Sequence, residues 1–142
     1  MRNIVLDSSV IAKWFFPEED QGDLALEVKE DFTNKIISIS LPLLIFYEVN
    51  NLLRTAIKSL RIDRGKAISA YQGFLELDFI VYSSKELMEK ALEKAVNLDI
   101  SSYDASYVVL AEYLKAPFFT TDKKLLEKTK NQVVKNLQNY PV

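Results

Sequence analysis

The stretch NIVLDSSV, residues 3–10, begins as an apolar strand and ends in a carboxylate that two hydroxyls follow. Ile4 to Leu6 form the kind of continuous apolar run that lies in a sheet covered on both faces. Asp7 comes at the expected end of this strand, and apolar residues resume from Val10 in a helical pattern. Asp7 therefore has two interpretations. It either caps the following helix or lies at the carboxyl edge of the sheet, where open parallel sheets bind their ligands.

Four further runs of β-branched or aromatic residues resemble this strand. They are KIISIS at 35–40, FIVYS at 79–83, FFTTD at 118–122 and, more weakly, QVVKNL at 132–137. Helical patterns lie between the runs, and strands joined through helices form right-handed parallel crossovers. A chain of 142 residues has the size of one ordinary domain. We therefore predict an α/β fold, with a sheet between two layers of helices in a single domain that spans 1–142.

The clearest helix is marked by an apolar stripe with helical spacing, and Pro42 lies in its expected first turn. The stripe consists of Ile45, Val49, Leu52, Leu53, Ala56, Ile57 and Leu60. Three further helices are predicted at 64–76, from a capping box of Ser83 and Glu86, and from Ser101 or Ser102 to a stop before Pro117. These helices supply the layers that cover the sheet.

The residue composition restricts the chemistry of the chain. It contains no cysteine and no histidine. This excludes disulfides, thiolate nucleophiles, histidine triads and zinc sites built from these residues. Catalysis would therefore depend on carboxylates, hydroxyls, lysines or a hard metal ion. The apolar runs are far shorter than the roughly 20 residues of a membrane-spanning helix, and no signal-peptide pattern is found. We expect a soluble, cytoplasmic protein without a membrane partner.

The net charge of -2 conceals an uneven distribution of charge along the chain. The segment EEDQGDLALEVKED at 18–31 is strongly acidic, whereas the segment 54–66 carries Arg54, Lys58 and Arg61 with a single acid nearby. Solvated helix faces explain most charges of this kind. A basic segment is nevertheless a candidate track for a nucleic acid, because phosphates bind to cationic side chains.

Four acidic residues lie at strand ends, in the first turns of helices or beside an apolar stripe. Asp7 and Asp122 each end a strand, and Asp104 lies in the first turn of a helix, so each of the three has a simple alternative as a helix cap. Glu48 lies on or beside an apolar stripe, where a carboxylate needs water, a cation or a proton. Positions after strands and in first helical turns mostly face one rim of an α/β sheet. We therefore predict that the four acids meet.

A cluster of acids without a cationic partner repels itself, and a hard cation relieves this repulsion. Mg²⁺ or Mn²⁺ prefers oxygen ligands and keeps several waters, which suits carboxylates supported by hydroxyls such as Ser9 and Thr120. Such an ion neutralises phosphate oxygens and lowers the pKa of a bound water. The four acids therefore predict chemistry on phosphate esters that needs neither histidine nor cysteine.

The sequence resembles the PIN-domain ribonucleases, and within them the VapC-type toxins of prokaryotic toxin–antitoxin pairs. The segments that carry the resemblance are VLDSSVIAKWFFPE, LPLLIFYEVNNLL, SSYDASYVVLAEYL and FFTTDKKL, and they span nearly the whole chain. The roles that the resemblance implies are a catalytic and metal-binding set of Asp7, Glu48, Asp104 and Asp122, supporting hydroxyls from Ser9 and Thr120, and a site-lining amide from Asn51.

The resemblance also implies a fold and an activity. The fold would be a parallel five-stranded sheet in the order 3-2-1-4-5, in which Asp7 and Asp122 meet where the strand order reverses. The activity would be that of a Mg²⁺- or Mn²⁺-dependent endoribonuclease that cleaves RNA to arrest translation and growth. A homodimer and a cognate antitoxin are the implied partners. The basic residues Arg54, Lys58 and Arg61 are candidates for contact with the RNA.

Two other functions remain open on the sequence. A phosphatase of the haloacid-dehalogenase type also has Asp at the end of an apolar strand, but its second acid two residues later is replaced here by Ser9. The other alternative is an acidic α/β module that binds a partner protein without catalysis. In that module, a change of Asp7 or Asp104 to Asn would leave the biological activity intact, whereas in a nuclease either change would abolish it.

Overall fold

The computed structural model describes residues 1–130 and 133–141, and it shows five strands connected through helices. The strands are β1 (Arg2–Leu6), β2 (Ile37–Pro42), β3 (Ile80–Tyr82), β4 (Phe118–Thr120) and β5 (Val134–Asn136). The helices are α1 (Ser8–Phe15), α2 (Gly22–Thr33), α3 (Ile45–Lys58), α4 (Arg64–Leu75), α5 (Lys85–Leu98), α6 (Ser102–Leu114) and α7 (Lys123–Thr129), with a 3₁₀ helix at Leu137–Asn139. The strands form one parallel sheet in the order β3-β2-β1-β4-β5, which confirms the predicted fold class and strand order. No helix within the described residues is long and apolar enough to cross a membrane.

Strand β1 lies at the centre of the sheet, and its last three residues are fully buried. Ile4, Val5 and Leu6 have no exposed surface, as expected for a strand that is covered on both faces. The strand is parallel to both β2 and β4, and Leu6 pairs with Phe119 of β4. The order of strands along the chain reverses between β1 and β4. The carboxyl ends of these two strands therefore lie side by side, and so do the residues that follow them.

Strand β3 differs from its prediction because it is an exposed edge strand. We expected a strand at 79–83 that is covered on both faces, but Ile80 and Val81 are 46% and 40% exposed. Among the described strands, only β2 pairs with β3, so β3 lies at the border of the sheet. Burial on both faces is a property of the central strands. The strand predicted at 132–137 is found as β5, and Gln132 lies outside the described residues.

Helix α3 begins where its apolar stripe does, later than the position of Pro42 predicts, and it ends before the last residue of the stripe. Pro42 belongs to β2 and not to the first helical turn, because Leu43 N–H donates to the Tyr82 carbonyl and keeps the chain in the ladder. At the other end, Leu60 lies beyond the helix with a positive φ of 62° and is 91% exposed. The buried face of α3 is therefore shorter than the stripe.

The predicted capping residue is wrong for α5 and correct for α6. Helix α5 is capped by Ser84, whose Oγ accepts from Leu87 N–H, so the predicted box of Ser83 and Glu86 is wrong by one residue. The polar pair Ser83-Ser84 offers two caps, and the second is the one that accepts the hydrogen bond. Helix α6 begins as predicted, with Ser101 as the capping residue.

Candidate active site at the carboxyl edge of the sheet

Asp7 occupies the capping position of α1, but its side chain does not cap the helix. Its Oδ2 instead accepts two hydrogen bonds, one from Ser9 Oγ at 2.8 Å and one from Thr120 Oγ1 at 2.7 Å. The residue is only 3% exposed. The capping interpretation of Asp7 therefore does not describe this carboxylate. Both hydroxyls donate to the same oxygen, Oδ2, and neither donates to Oδ1.

The two hydroxyls also connect the ends of β1 and β4. Thr120 Oγ1 accepts from Asp122 N–H at 3.0 Å, and Ser9 Oγ accepts from Thr121 N–H at 3.3 Å. Each hydroxyl thus donates to Asp7 while it accepts from the backbone after β4. The Asp7 carboxylate is fixed by a network that exists only because the two strand ends are neighbours.

Asp122 and Asp104 both take part in helix caps. Asp122 Oδ1 accepts from Leu125 N–H at 3.1 Å and caps α7, while its Oδ2 is not used by the cap. At Asp104 the backbone is engaged, because its N–H donates to Ser101 Oγ at 3.0 Å. A capping role therefore leaves at least one carboxylate oxygen of each residue outside the cap. The structural and the chemical interpretations of these two acids are compatible.

Glu48 has a partner that the sequence analysis missed. Tyr107 Oη donates to Glu48 Oε1 at 2.5 Å, and Tyr107 itself has no exposed surface. The sequence offered a signal, since Tyr107 lies in the apolar face of α6 and a buried phenol usually needs a hydrogen-bond partner. Spacing along one helix does not tell which residue of another helix supplies that partner.

The electrostatics of the acids connect them into one cluster. Burial raises the pKa of Asp7 to about 6, against the lowering effect of the Thr120 and Ser9 hydrogen bonds, and the charges of Asp104 and Asp122 raise it further. The salt bridges found among the described residues involve other carboxylates. The negative charges at the carboxyl edge therefore act on one another without a neutralising side chain.

Glu48 and Asp104 show the same mutual repulsion. Burial raises the pKa of Glu48 to about 7, against the hydrogen bond from Tyr107, and the charges of Asp7 and Asp104 add to the increase. The pKa of Asp104 is also raised, first by burial and then by the charge of Asp122. Electrostatic interactions thus connect Asp7 with the other three acids, and Asp104 with Asp122 and Glu48.

The donor set is chemically suited to a hard divalent cation. It consists of carboxylate oxygens, with hydroxyls behind them and no competing cationic side chain in the salt bridges described. Within residues 1–130 and 133–141, no three acidic side chains are gathered closely enough to hold one ion between them. Mg²⁺ usually binds through only one or two carboxylates and keeps several waters, so a set of this kind still fits it.

Within residues 1–130 and 133–141, the hydrogen bonds found at the four acidic side chains do not involve the remaining predicted residues, which are Asn51, Arg54, Lys58 and Arg61. Asn51 is exposed one turn after Glu48, and no hydrogen bond described here joins it to the four acids. Arg54 and Lys58 line a groove of about 260 Å³ between α3 and α4. Arg61 differs from the expectation of a basic segment with one acid nearby. It forms salt bridges with Glu18 at 3.0 Å and Glu19 at 2.8 Å.

Known proteins share both the family and the fold of this chain. The family model described as PIN domain matches residues 4–131. Ribonuclease VapC3 from Pyrobaculum aerophilum is 29% identical over 130 residues, which are 88% of this chain and 93% of the relative. The solved structure of PAE2754 from Pyrobaculum aerophilum has a TM-score of 0.69 at 23% identity and covers 96% of this chain and 92% of its own. The solved structure of VapBC2 from Rickettsia felis, bound to a DNA fragment from their promoter, has a TM-score of 0.66 at 16% identity. It covers 94% of this chain and 98% of its own. These two structures support the fold.

Proposed function

This chain belongs to the PIN domain family, and from that premise we propose that it is a metal-dependent endoribonuclease, the toxin of a type II toxin–antitoxin pair. The observation that carries the proposal is the buried carboxylate of Asp7, which two hydroxyls hold at the carboxyl edge of the sheet among three other acids. The relative named as a ribonuclease supports the same class of reaction. Nothing comparable supports the dehalogenase-type phosphatase, since Ser9 serves Asp7 as a hydrogen-bond donor.

We propose Asp7, Glu48, Asp104 and Asp122 as the residues that bind Mg²⁺ or Mn²⁺, one or two of them directly and the others through coordinated waters. When bound, such an ion neutralises phosphate charge and lowers the pKa of a coordinated water. The protein's own contribution is to keep carboxylate oxygens in place. Ser9 and Thr120 hold Asp7 through Oδ2, and Leu125 N–H holds Asp122 through Oδ1. Binding then starts from fixed ligands, which lowers the entropic penalty.

The reaction we propose is hydrolysis of a phosphodiester bond in RNA. Water adds to the phosphorus in line with the bond to the 3′ oxygen, that bond breaks, and the products carry 5′-phosphate and 3′-hydroxyl ends. The chain has no histidine or cysteine to act as nucleophile or general base. Its mutually repelling carboxylates suit a site that is completed by a cation.

The RNA surface that we propose includes Arg54 and Lys58, in the groove between α3 and α4. Arg61 is the weaker of the predicted contacts, because Glu18 and Glu19 neutralise its charge. An exposed cation that lacks such partners contributes more to the binding of a phosphate backbone. The pairing with Glu18 and Glu19 thus weakens the contribution of Arg61 to the basic track.

The partners that we propose follow from the family. They are a cognate antitoxin and a second copy of the chain, in the cytoplasm where the RNA substrates of such a toxin occur. Structural neighbours described as toxin–antitoxin complexes, such as one from Klebsiella pneumoniae, support an antitoxin partner for this fold. Sedimentation of the purified protein, alone and co-expressed with the product of the neighbouring reading frame, tests both partners.

The decisive test is expression with and without the neighbouring open reading frame, followed by mapping of RNA ends. Wild-type protein should arrest growth and produce new 5′-phosphate ends, and Asp7→Asn or Asp104→Asn should do neither. Asp78→Asn is the matched control, because Asp78 is exposed and comes just before β3, at the amino edge of the parallel sheet. Growth arrest that persists in Asp7→Asn without new RNA ends would favour the non-enzymatic binding module.

A further inference from the structure

Tyr107 is held rigidly beneath the acidic cluster. It lies on α6, one turn after Asp104, and has no exposed surface. Its ring stacks on that of Phe118 in β4, with centroids 5.5 Å apart and an angle of 10° between the planes. The side chain is therefore fixed by packing before any hydrogen bond is considered, and its hydroxyl occupies a defined position.

The hydroxyl of Tyr107 connects two helices that are distant in the sequence. It donates to Glu48 Oε1 on α3 at 2.5 Å, a length typical of a strong hydrogen bond between a hydroxyl and a carboxylate. Oε2 of Glu48 takes no part in this hydrogen bond. One oxygen is thus held by Tyr107, and the other is outside this hydrogen bond.

Glu48 needs an external constraint to present its carboxylate reproducibly. Its side chain is only partly buried and has several rotatable bonds, so it would otherwise sample solvent-facing rotamers. Asp7 is fixed by two hydroxyls and Asp122 by a backbone N–H. For Glu48, Tyr107 is the donor that supplies this constraint.

We propose that Tyr107 is a positioning residue, which orients Glu48 for binding of a divalent cation through the bond from Oη to Oε1. The proposal rests on the proposed function. A partner behind a metal-binding carboxylate fixes its geometry, and loss of such a partner commonly lowers metal affinity or activity by about 10- to 100-fold. Because Tyr107 and Asp104 lie on one helix, the same bond fixes the placement of Glu48 relative to Asp104.

The chain contains a matched control for this interaction. Tyr140 is also buried and donates from its hydroxyl to a carboxylate, that of Asp31 on α2, away from the acidic cluster. Tyr140→Phe removes a bond of the same kind outside the site, so it reports the purely structural effect of losing a phenol. Tyr107→Phe retains the ring that stacks on Phe118.

The experiment measures binding of Mn²⁺ to the metal-free protein by calorimetry in the absence of RNA, with thermal unfolding and cleavage rates measured in parallel. We expect Tyr107→Phe to unfold near the wild-type temperature, to bind Mn²⁺ about 10-fold or more weakly, and to lose kcat with little change in KM for RNA. Tyr140→Phe should bind Mn²⁺ and cleave RNA as the wild type does. Tyr107→Met, which also lacks the hydroxyl and has a smaller, flexible side chain, replaces Tyr107→Phe if the latter does not fold.

A double variant separates positioning from general packing. If Tyr107 acts through Glu48, then Tyr107→Phe in a Glu48→Gln background should cause no further loss of Mn²⁺ affinity. In that background there is no carboxylate at position 48 for Tyr107 to orient. Wild-type Mn²⁺ affinity in folded Tyr107→Phe would overturn the proposal and leave the nuclease intact. If the wild type binds Mn²⁺ but cleaves no RNA, the proposed function fails while the role of Tyr107 is still decided by affinity. A wild type that binds no Mn²⁺ would overturn both.

Discussion

Asp7→Asn should stabilise the metal-free protein at neutral pH while it removes activity. The carboxylate of Asp7 is 3% exposed, and burial raises its pKa from 3.8 to about 6. A difference of about 2 pKa units corresponds to roughly 3 kcal/mol by which the ionised carboxylate destabilises the folded state. The carboxamide of Asn carries no charge, and its oxygen accepts hydrogen bonds from the same two hydroxyls.

The sign of the pH dependence follows from proton binding. Between the unfolded pKa of 3.8 and the folded pKa of about 6, the folded state holds more protons at Asp7 than the unfolded state does. The free energy of unfolding of the wild type therefore falls as the pH rises through this window. The Asp7→Asn variant has no proton to lose at this position. Its advantage should reach at most about 3 kcal/mol near neutral pH and shrink to about half of that at pH ~5.

Equilibrium unfolding in urea with EDTA present tests this expectation. Fluorescence of Trp14, the single tryptophan of the chain and 8% exposed, reports unfolding. Asp78→Asn serves as the control, because substitutions at exposed positions usually change stability by less than about 0.5 kcal/mol. The reasoning is refuted if Asp7→Asn is less stable than the wild type at neutral pH, or if the difference between the two proteins is independent of pH.

Three further predictions concern the cation, the hydroxyls and the RNA. Millimolar Mn²⁺ should raise the unfolding temperature of the wild type but hardly that of Asp104→Asn. Excess EDTA should abolish cleavage, and activity that persists in the chelator contradicts a metal mechanism. Thr120→Val should lower kcat, because Asp7 loses one of its two hydrogen-bond donors. The loss of this bond should also raise the pKa of Asp7 and shift the pH profile of cleavage to higher pH. An unchanged pH profile contradicts this role of Thr120. Lys58→Glu combined with Arg54→Glu should raise Kd for RNA in filter-binding assays and flatten its salt dependence, whereas an unchanged Kd would remove the α3 groove from the RNA surface.

Local patterns in the sequence identified the strands and the places of Asp7, Asp104 and Asp122 at the ends of strands or the start of a helix. Asp7 and Asp122 follow apolar runs that are found as β1 and β4, and Asp104 lies in the first turn of the helix that Ser101 caps. These features depend on residues within a few positions of one another, so a linear pattern contains them. Strand order came from the family resemblance, since periodicity identifies strands without telling which of them are neighbours.

The details that only the tertiary structure decided all involve distant residues. The charge of Arg61 is neutralised by acids more than forty positions earlier, and the burial of β3 depends on its place at the border of the sheet. The bond from Tyr107 to Glu48 spans α6 and α3. A sequence shows that a buried phenol and a half-buried carboxylate each need a partner. It does not show that they are each other's partner, because that contact arises only when packing against one sheet brings the two helices together.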